Sequence, residues 1–267
     1  MATPSPFEGL YAPVPDVAAY LQRIGFDGTA EPTPECLKKL VRCHLFTVPF
    51  ENLDIFHGHT EPSLETTALF DKIVTNRRGG YCFELNGLFC KLLEAIGFCC
   101  FSSVARIMFR RDYTNPIAHR VILVDIGDKR YFCDVGFGGP CPTEPLEICF
   151  DKLWETDNGK RYRFSEGNGN TVIETFFDGD FTPLMAFYQI PFEPVDFVAL
   201  NSYCASSKQQ PFLNRRMVHL CTPDGKISLD GDILRINQNG VVTETSLTTE
   251  ADLRTALASR FGIVYNQ

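Results

Sequence analysis

Arg77-Arg78-Gly79-Gly80-Tyr81-Cys82-Phe83-Glu84-Leu85-Asn86 is a glycine pair that runs straight into a cysteine. Apolar residues then recur at Leu85, Leu88, Phe89, Leu92, Leu93 and Ile96, which is helical spacing and predicts a helix that opens at Cys82 and stops at Gly97. A cysteine at a helix N-terminus sits among unpaired backbone N–H groups at the positive end of the helix dipole, so its pKa is expected to fall. The glycines let chain and substrate approach the sulfur closely. Two readings stand side by side: a reactive thiol, or a small core residue at a helix start.

Outward from this helix the chain divides in two. On the N-terminal side, residues 16–24 predict a short amphipathic helix with Val17, Tyr20, Leu21 and Ile24 on one face. Thr33 and Pro34 begin a second that runs to about His44. Val48-Pro49-Phe50-Glu51-Asn52-Leu53 ends that periodicity at its proline, and Leu69, Phe70, Ile73 and Val74 suggest a third helix leading into Gly79. Residues 1–98 therefore read as a helical bundle with the cysteine helix at its centre. From residue 99 the period becomes two. Strands are expected at 99–108, 118–126, 130–135, 161–165, 171–177, 216–221, 226–229, 232–236 and 241–246, with turns at Gly127-Asp128, Pro223-Asp224-Gly225 and 237–240. A last helix at 249–261 would bury Leu253, Leu257 and Phe261. Residues 193–211, with prolines, serines and glutamines, read as a linker or crossing segment. The division is 1–98 helical, 99–195 barrel-like, and 196–267 crossing segment plus a last mixed region. Helices first and strands afterwards give an α+β fold.

With 267 residues and 44% hydrophobic content the chain can bury a large core. A net charge of −8 argues against a nucleic-acid surface or a basic membrane face and for small-molecule partners. Met1-Ala2-Thr3-Pro4 lacks the pattern of a signal peptide and no apolar run is long enough to span a bilayer, so a cytoplasmic location is expected. Eleven cysteines, with no C-x-x-C spacing, read as mostly reduced thiols rather than a disulfide or zinc framework. His57-Gly58-His59 offers two imidazoles in what reads as a loop, with no further ligands clustered beside them, and no metal is expected.

A nucleophilic cysteine needs a base, normally a histidine oriented by a third group. Of the five histidines, His44 lies in a helical segment and His219 on a late strand amid apolar neighbours. His119 begins the strand His119-Arg120-Val121-Ile122-Leu123-Val124, and the turn at Gly127-Asp128 folds Tyr131-Phe132-Cys133-Asp134-Val135 back against it. That register sets residue 119 near 136, with Asp134 a diagonal step away. Asp134 stands alone as a charge in an apolar run, and a buried carboxylate needs a partner. Cys82, His119 and Asp134 thus form a physically sensible triad. The alternative is a core histidine bonded to a carbonyl and an aspartate capping a turn.

Four separated motifs, in this order, resemble the arylamine N-acetyltransferases: Val48-Pro49-Phe50-Glu51-Asn52-Leu53, Arg78-Gly79-Gly80-Tyr81-Cys82-Phe83-Glu84-Leu85-Asn86, Ala118-His119-Arg120 and Asp134-Val135-Gly136-Phe137-Gly138. Asn201-Ser202-Tyr203 and Cys221-Thr222-Pro223-Asp224-Gly225 extend the match. The resemblance implies a helical bundle, a β-barrel and a C-terminal α/β lid around a papain-like triad of Cys82, His119 and Asp134. It also implies Phe50, Phe137 and Gly138 beside the acceptor, and Ser206, Ser207 and Lys208 in the coenzyme A cleft, where Lys208 and Gln210 depart from the proline and serine common in the family. The implied chemistry is acetyl transfer from acetyl-CoA to arylamines or arylhydrazines through an acetyl-cysteine, with acetyl-CoA as a substrate and no permanently bound cofactor. Rival readings of the same triad are a cysteine hydrolase or amide synthase acting on another thioester, a transferase preferring a larger acyl-CoA, and a binding module without turnover.

Overall fold

The computed structural model describes residues 5–264, so residues 1–4, read above for a leader, lie outside it. Near the N-terminus, helix α1 (Val17–Arg23) begins where the Asp16 carboxylate accepts from Ala19 N–H at 2.9 Å, and α2 (Pro34–Thr47) where the Thr33 hydroxyl accepts from Cys36 N–H at 3.2 Å. A two-residue strand β1 (Phe50–Glu51) and a short helix α3 (Leu53–Gly58) follow the proline break. The third expected helix is α4 (Thr66–Phe70), which widens into a π-type turn over Asp71–Thr75 before the glycine pair. Helix α5 (Cys82–Ile96) ends at Gly97 in the left-handed region, φ 103°.

Eleven of the fifteen residues of α5 are buried, on every face of the helix. A helix apolar all round must be enclosed. It packs on α1 and α4 on one side and on two strands, β2 (Cys99–Ile107) and β3 (His119–Ile126), on the other. Strand β3 is buried on both faces. Ile122 and Val124 join the helical core, while Val121 and Leu123 join the barrel core with Phe132, Phe164 and Phe187. Each large apolar side chain so enclosed contributes about 1.5–3 kcal/mol.

The remaining strands of the barrel are β4 (Lys129–Cys133), β5 (Leu146–Glu147), β6 (Leu153–Glu155), β7 (Arg161–Glu166), β8 (Thr171–Phe177) and β9 (Asp180–Phe187). With β2 and β3 they form an eight-stranded antiparallel sheet, ordered β5-β4-β3-β2-β9-β8-β7-β6, that curls into a nearly closed barrel. Strand β9 was not expected from the sequence, where Pro183 interrupts the run. It tolerates the proline because the β8–β9 ladder carries a register shift at Ile173/Glu174, the latter opposite Pro183.

The crossing segment also differs from expectation. Within 193–211 the chain forms helix α6 (Asp196–Ser206), whose Phe197, Cys204 and Ala205 pack into the helical core. Strands β10 (Met217–Thr222), β11 (Gly225–Asp230), β12 (Ile233–Gln238) and β13 (Val241–Ser246) then form a meander closed by α7 (Glu250–Phe261), which buries Leu253, Leu257 and Phe261 as expected. The N-terminal β1 completes this second sheet by pairing with β10, Phe50 opposite His219. The fold is α+β: helical N-terminus, barrel and C-terminal α/β unit. Among the described residues no helix is long and apolar enough to cross a membrane.

Candidate active site

The start of α5 is held by β1 and the Pro49 before it. Glu51 N–H donates to the Gly80 carbonyl at 2.8 Å, and Phe50 and Gly80 form a parallel bridge. Any side chain at Gly79 would lie 2.0 Å from the Pro49 carbonyl oxygen, so only glycine permits this crossing. The charges of the two motifs neutralise one another in the interior. Arg78 bonds Glu51 at 2.9 Å and Asp54 at 2.8 Å, and Lys72 reaches Asp54 and Glu84 at 2.7 Å each. The second Glu84 oxygen accepts from Tyr81 N–H at 3.0 Å and so caps the helix at the nucleophile's neighbour. Glu51, Asp54, Lys72 and Arg78 had no role in the sequence reading, because their partners lie up to 27 residues apart.

Cys82, His119 and Asp134 are brought together. The β3–β4 ladder pairs Ile122 with Cys133, the register expected from the turn. His119 Nε2 lies 2.7 Å from Asp134 Oδ2, and the Cys82 thiol is the other group that acts on the imidazole. The other Asp134 oxygen accepts from Gly136 N–H and from Asn86 Nδ2, both at 2.8 Å. Asn86 also donates to the Arg120 carbonyl at 2.6 Å and accepts from Val135 N–H at 2.9 Å. It is fully buried, one turn beyond Cys82. A single amide thus locks the Cys82 helix to the segments carrying His119 and Asp134, and the sequence signal was there in an asparagine on the buried side of that helix. Gly136 lies so close that a Cβ would fall 2.8 Å from the Cys82 Cα.

The electrostatics correct one expectation. Burial pushes the Cys82 thiol up, and the pull of His119 does not fully offset it, so the net direction is upward rather than the fall expected from the helix end. His119 behaves oppositely. Burial disfavours its charge, but Asp134 and Cys82 more than compensate and lift it to about 10. Of the groups around Cys82, the imidazole is the one that pulls the thiol down.

A cavity of about 510 Å³ opens at Cys82 and His119. Phe50, Phe137 and Gly138 line it, with Phe137 edge-on to the His119 ring at 5.5 Å. Its far wall holds residues without a role in the sequence reading. His219 stacks on Phe50, and its Nδ1 lies 2.6 Å from the Gly138 carbonyl, which also accepts from Lys226 at 2.5 Å. Asp230, 3.3 Å from His219 Nε2, and Arg110, Arg111 and Arg215 complete it. Ser206, Ser207 and Lys208 do not line this cavity. Their segment reaches it at Gln210, Pro211 and Phe212, held there because Asn52 donates to the Phe212 and Arg215 carbonyls at 2.7 and 2.8 Å. His57 lies in α3 and His59 caps it, correcting the loop assignment. Among the described residues no group of three or more His, Cys, Asp or Glu is placed to hold a metal ion.

Residues 33–267 match the family model described as N-acetyltransferase. Among curated proteins the chain is 32% identical over 253 residues to the arylamine N-acetyltransferase of Mycolicibacterium smegmatis, covering 93% of this chain and 92% of that one. The solved arylamine N-acetyltransferase of Salmonella typhimurium superposes with a TM-score of 0.89 at 30% identity, covering 96% and 94% of the two chains. That of Mycobacterium marinum in complex with CoA gives 0.86 at 30% identity over 93% of each. Helical N-terminus, barrel, C-terminal unit and the cysteine at the head of α5 all fall within the matched region, and the chain belongs to the arylamine N-acetyltransferase family.

Proposed function

We propose that this protein transfers an acetyl group from acetyl-CoA to the amino group of arylamines or arylhydrazines through an acetyl-Cys82 intermediate. The observation that carries the reading is the Cys82–His119–Asp134 chain opening on a cavity walled by Phe50 and Phe137. In the first half-reaction the Cys82 sulfur, its proton held on His119 Nδ1, attacks the acetyl carbonyl. The S–C bond to coenzyme A breaks, and His119 returns the proton to the departing thiolate. In the second, the amine attacks the acetyl-cysteine, His119 Nδ1 takes a proton from its nitrogen, and the Cys82 thiolate leaves beside the imidazolium. Asp134 keeps the proton of His119 on Nε2, so that Nδ1 is the exchanging nitrogen. The Phe50 and Phe137 rings that line the cavity suit an aromatic acceptor.

For the donor, the proposed cleft includes Ser206, Ser207 and Lys208, supported by the entry of the same segment into the cavity at Gln210–Phe212. The C-terminal unit serves as the lid over the donor, and residues 1–98, 99–195 and 196–267 are the proposed division of labour between nucleophile, base and lid. Eleven free cysteines fit a reducing compartment, and the cytoplasm is the proposed location.

Intact mass after incubation with acetyl-CoA alone tests the reading. One acetyl group is expected on the wild type and none on Cys82→Ser, whereas label persisting in the variant moves the nucleophile elsewhere. Release of coenzyme A beyond the single equivalent of the loading step that requires an arylamine, and yields its acetamide, separates transfer from hydrolysis.

A further inference from the structure

Helix α5 carries a second cysteine whose surroundings the transfer chemistry does not use. Cys90, two turns beyond Cys82 and 2% exposed, has its sulfur 3.9 Å from that of Cys100 on β2, which is half-buried. Against this pair lies Arg120, a guanidinium enclosed in the interior. Its Nε donates to the Ser102 hydroxyl at 2.9 Å and its plane covers the Phe197 ring at 4.3 Å. Among the described residues no carboxylate comes within salt-bridge distance of Arg120. Burial lowers its pKa to about 10, opposed by the nearby Cys90, Glu94 and Cys82. A buried cation calls for an anion close by. Glu94 is half in water, is bonded to Lys91 at 2.8 Å and has its other oxygen 3.9 Å from the Cys90 sulfur. Cys82 is engaged by His119. Cys90 is the remaining candidate.

We propose that Cys90 and Cys100 form a redox-active dithiol, distinct from the nucleophile, which closes to a disulfide under a hydroperoxide and reopens under a thiol reductant. The two sulfurs sit on different elements already packed together, and bringing them to bonding distance of about 2.05 Å requires a closure of roughly 2 Å, within reach of side-chain rotation. The charges support the same assignment. The contact with Cys100, whose thiol also reaches the Cys90 carbonyl at 3.7 Å, draws the Cys90 thiol down, against burial, with Arg120 and the Ser102 hydroxyl assisting and Glu94 opposing. Cys133 on β4, the other thiol facing Cys90, is pushed well up by burial and stays protonated. Cys100 is likewise pushed up, by its bond to Cys90, until Cys90 reacts.

The chemistry balances in two steps. The Cys90 thiolate attacks one oxygen of the hydroperoxide, the O–O bond breaks, and the leaving oxyanion takes a proton, giving Cys90 sulfenic acid and an alcohol or water. Cys100 then attacks the Cys90 sulfur, the S–O bond breaks, and the proton of Cys100 leaves with the hydroxide as water. Two electrons pass from the two thiols to one hydroperoxide.

The test uses Cys82→Ala, which removes the catalytic thiol, treated with hydrogen peroxide. A loss of about 2 Da, reversed by dithiothreitol, is expected with non-reducing peptide maps joining Cys90 to Cys100. Adding Cys99→Ser should leave that product intact, and adding Cys100→Ser should abolish it. The rate at Cys90 should rise less steeply from pH 6.5 to 8 than the roughly twentyfold gain of a thiol of ordinary pKa near 8.5. The same maps on the wild type keep the result independent of how any variant folds. A disulfide to Cys99 or Cys133, or no linkage at peroxide levels that oxidise Cys82 in the wild type, overturns the proposal. A steep pH dependence overturns the part assigned to Arg120.

Discussion

His119–Asp134 and His219–Asp230 are two histidine–aspartate pairs whose imidazoles line one cavity, and they carry opposite electrical characters. His119 is lifted to about 10, whereas burial drives His219 below its ordinary value, with Lys226 adding to the drop. The difference lies in what else each carboxylate serves. Apart from His119, Asp134 accepts from the neutral donors Asn86 and Gly136, so its charge is felt by one cation. Asp230 is shared among His219 at 3.3 Å, Arg215 at 3.4 Å and Arg235 at 3.9 Å, with Lys226 nearby. A carboxylate makes a strong base of a histidine only when it has no other cation to answer. The first pair is built to move a proton and the second to hold the Gly138 carbonyl.

The largest expected break in this contrast is Asp134→Asn against Asp230→Asn. The first should lower acetyl transfer by about a thousandfold or more, because the amide favours the wrong tautomer of His119. The second should cost less than about tenfold, the scale of one weakened hydrogen bond. Steady-state rates of both, with iodoacetamide alkylation of Cys82 on folded protein, check it. Alkylation should slow only in Asp134→Asn, where the imidazolium no longer draws the Cys82 proton away. Equal losses in the two variants would erase the distinction.

Asn86→Ala sharpens the account of Asp134. Losing a hydrogen bond to a carboxylate costs about 1.5–3 kcal/mol, so kcat/KM should fall about tenfold to a hundredfold. Asn86→Asp, which brings a second carboxylate against Asp134, should be worse than alanine in kcat. Smaller still is His219→Gln, which can keep the bond to Gly138 while losing the ring stacked on Phe50. A severalfold rise in acceptor KM with little change in single-turnover acetylation of Cys82 is expected.

The mildest signature is in stability against pH, where the two histidines should act in opposite directions. His119 is raised in the folded state, so its contribution is fully present below the unfolded value of about 6.5 and is lost as pH rises through about 10. His219 is depressed, so the folded state resists its protonation and stability is lost as pH falls below about 6.5. Thermal unfolding of His219→Gln should therefore decline less on the acid side than the wild type, while Asp134→Asn should flatten the alkaline decline. Parallel curves for all three proteins would show that neither shift is real.

Much of this site was legible in the sequence because its parts obey local rules. The helix at Cys82 follows from the spacing of Leu85, Leu88, Phe89 and Leu92, and the register that sets His119 beside Asp134 follows from one turn at Gly127-Asp128. What escaped depends on partners remote in the chain. Helix α6 buries Phe197, Asn201, Cys204 and Ala205 at helical spacing, yet Asn201 looks like a loop residue until the Tyr81 hydroxyl and Glu61 supply its hydrogen bonds. His219 looked like a core residue because its partner at Gly138 is 81 positions away. The thiol shift at Cys82 was misjudged for the same reason. A helix terminus is visible in sequence, but the burial that outweighs it comes from the tertiary packing.

Strand β1 is only two residues long, yet it sits at the edge of a sheet whose other strands are made more than 160 positions later. During synthesis the nucleophile helix and its charged bed leave the ribosome well before β10 exists, and Phe50 waits without its neighbour. Closing so long a loop is entropically slow, and it comes only after most of the barrel has formed. A nascent or truncated chain ending before residue 217 would present an unpaired edge and a cavity lacking its second wall. Such intermediates are prone to aggregation. The appearance of activity is thus tied to the emergence of β10, which, rather than the folding of the first half, sets the moment at which the cysteine acquires a working pocket.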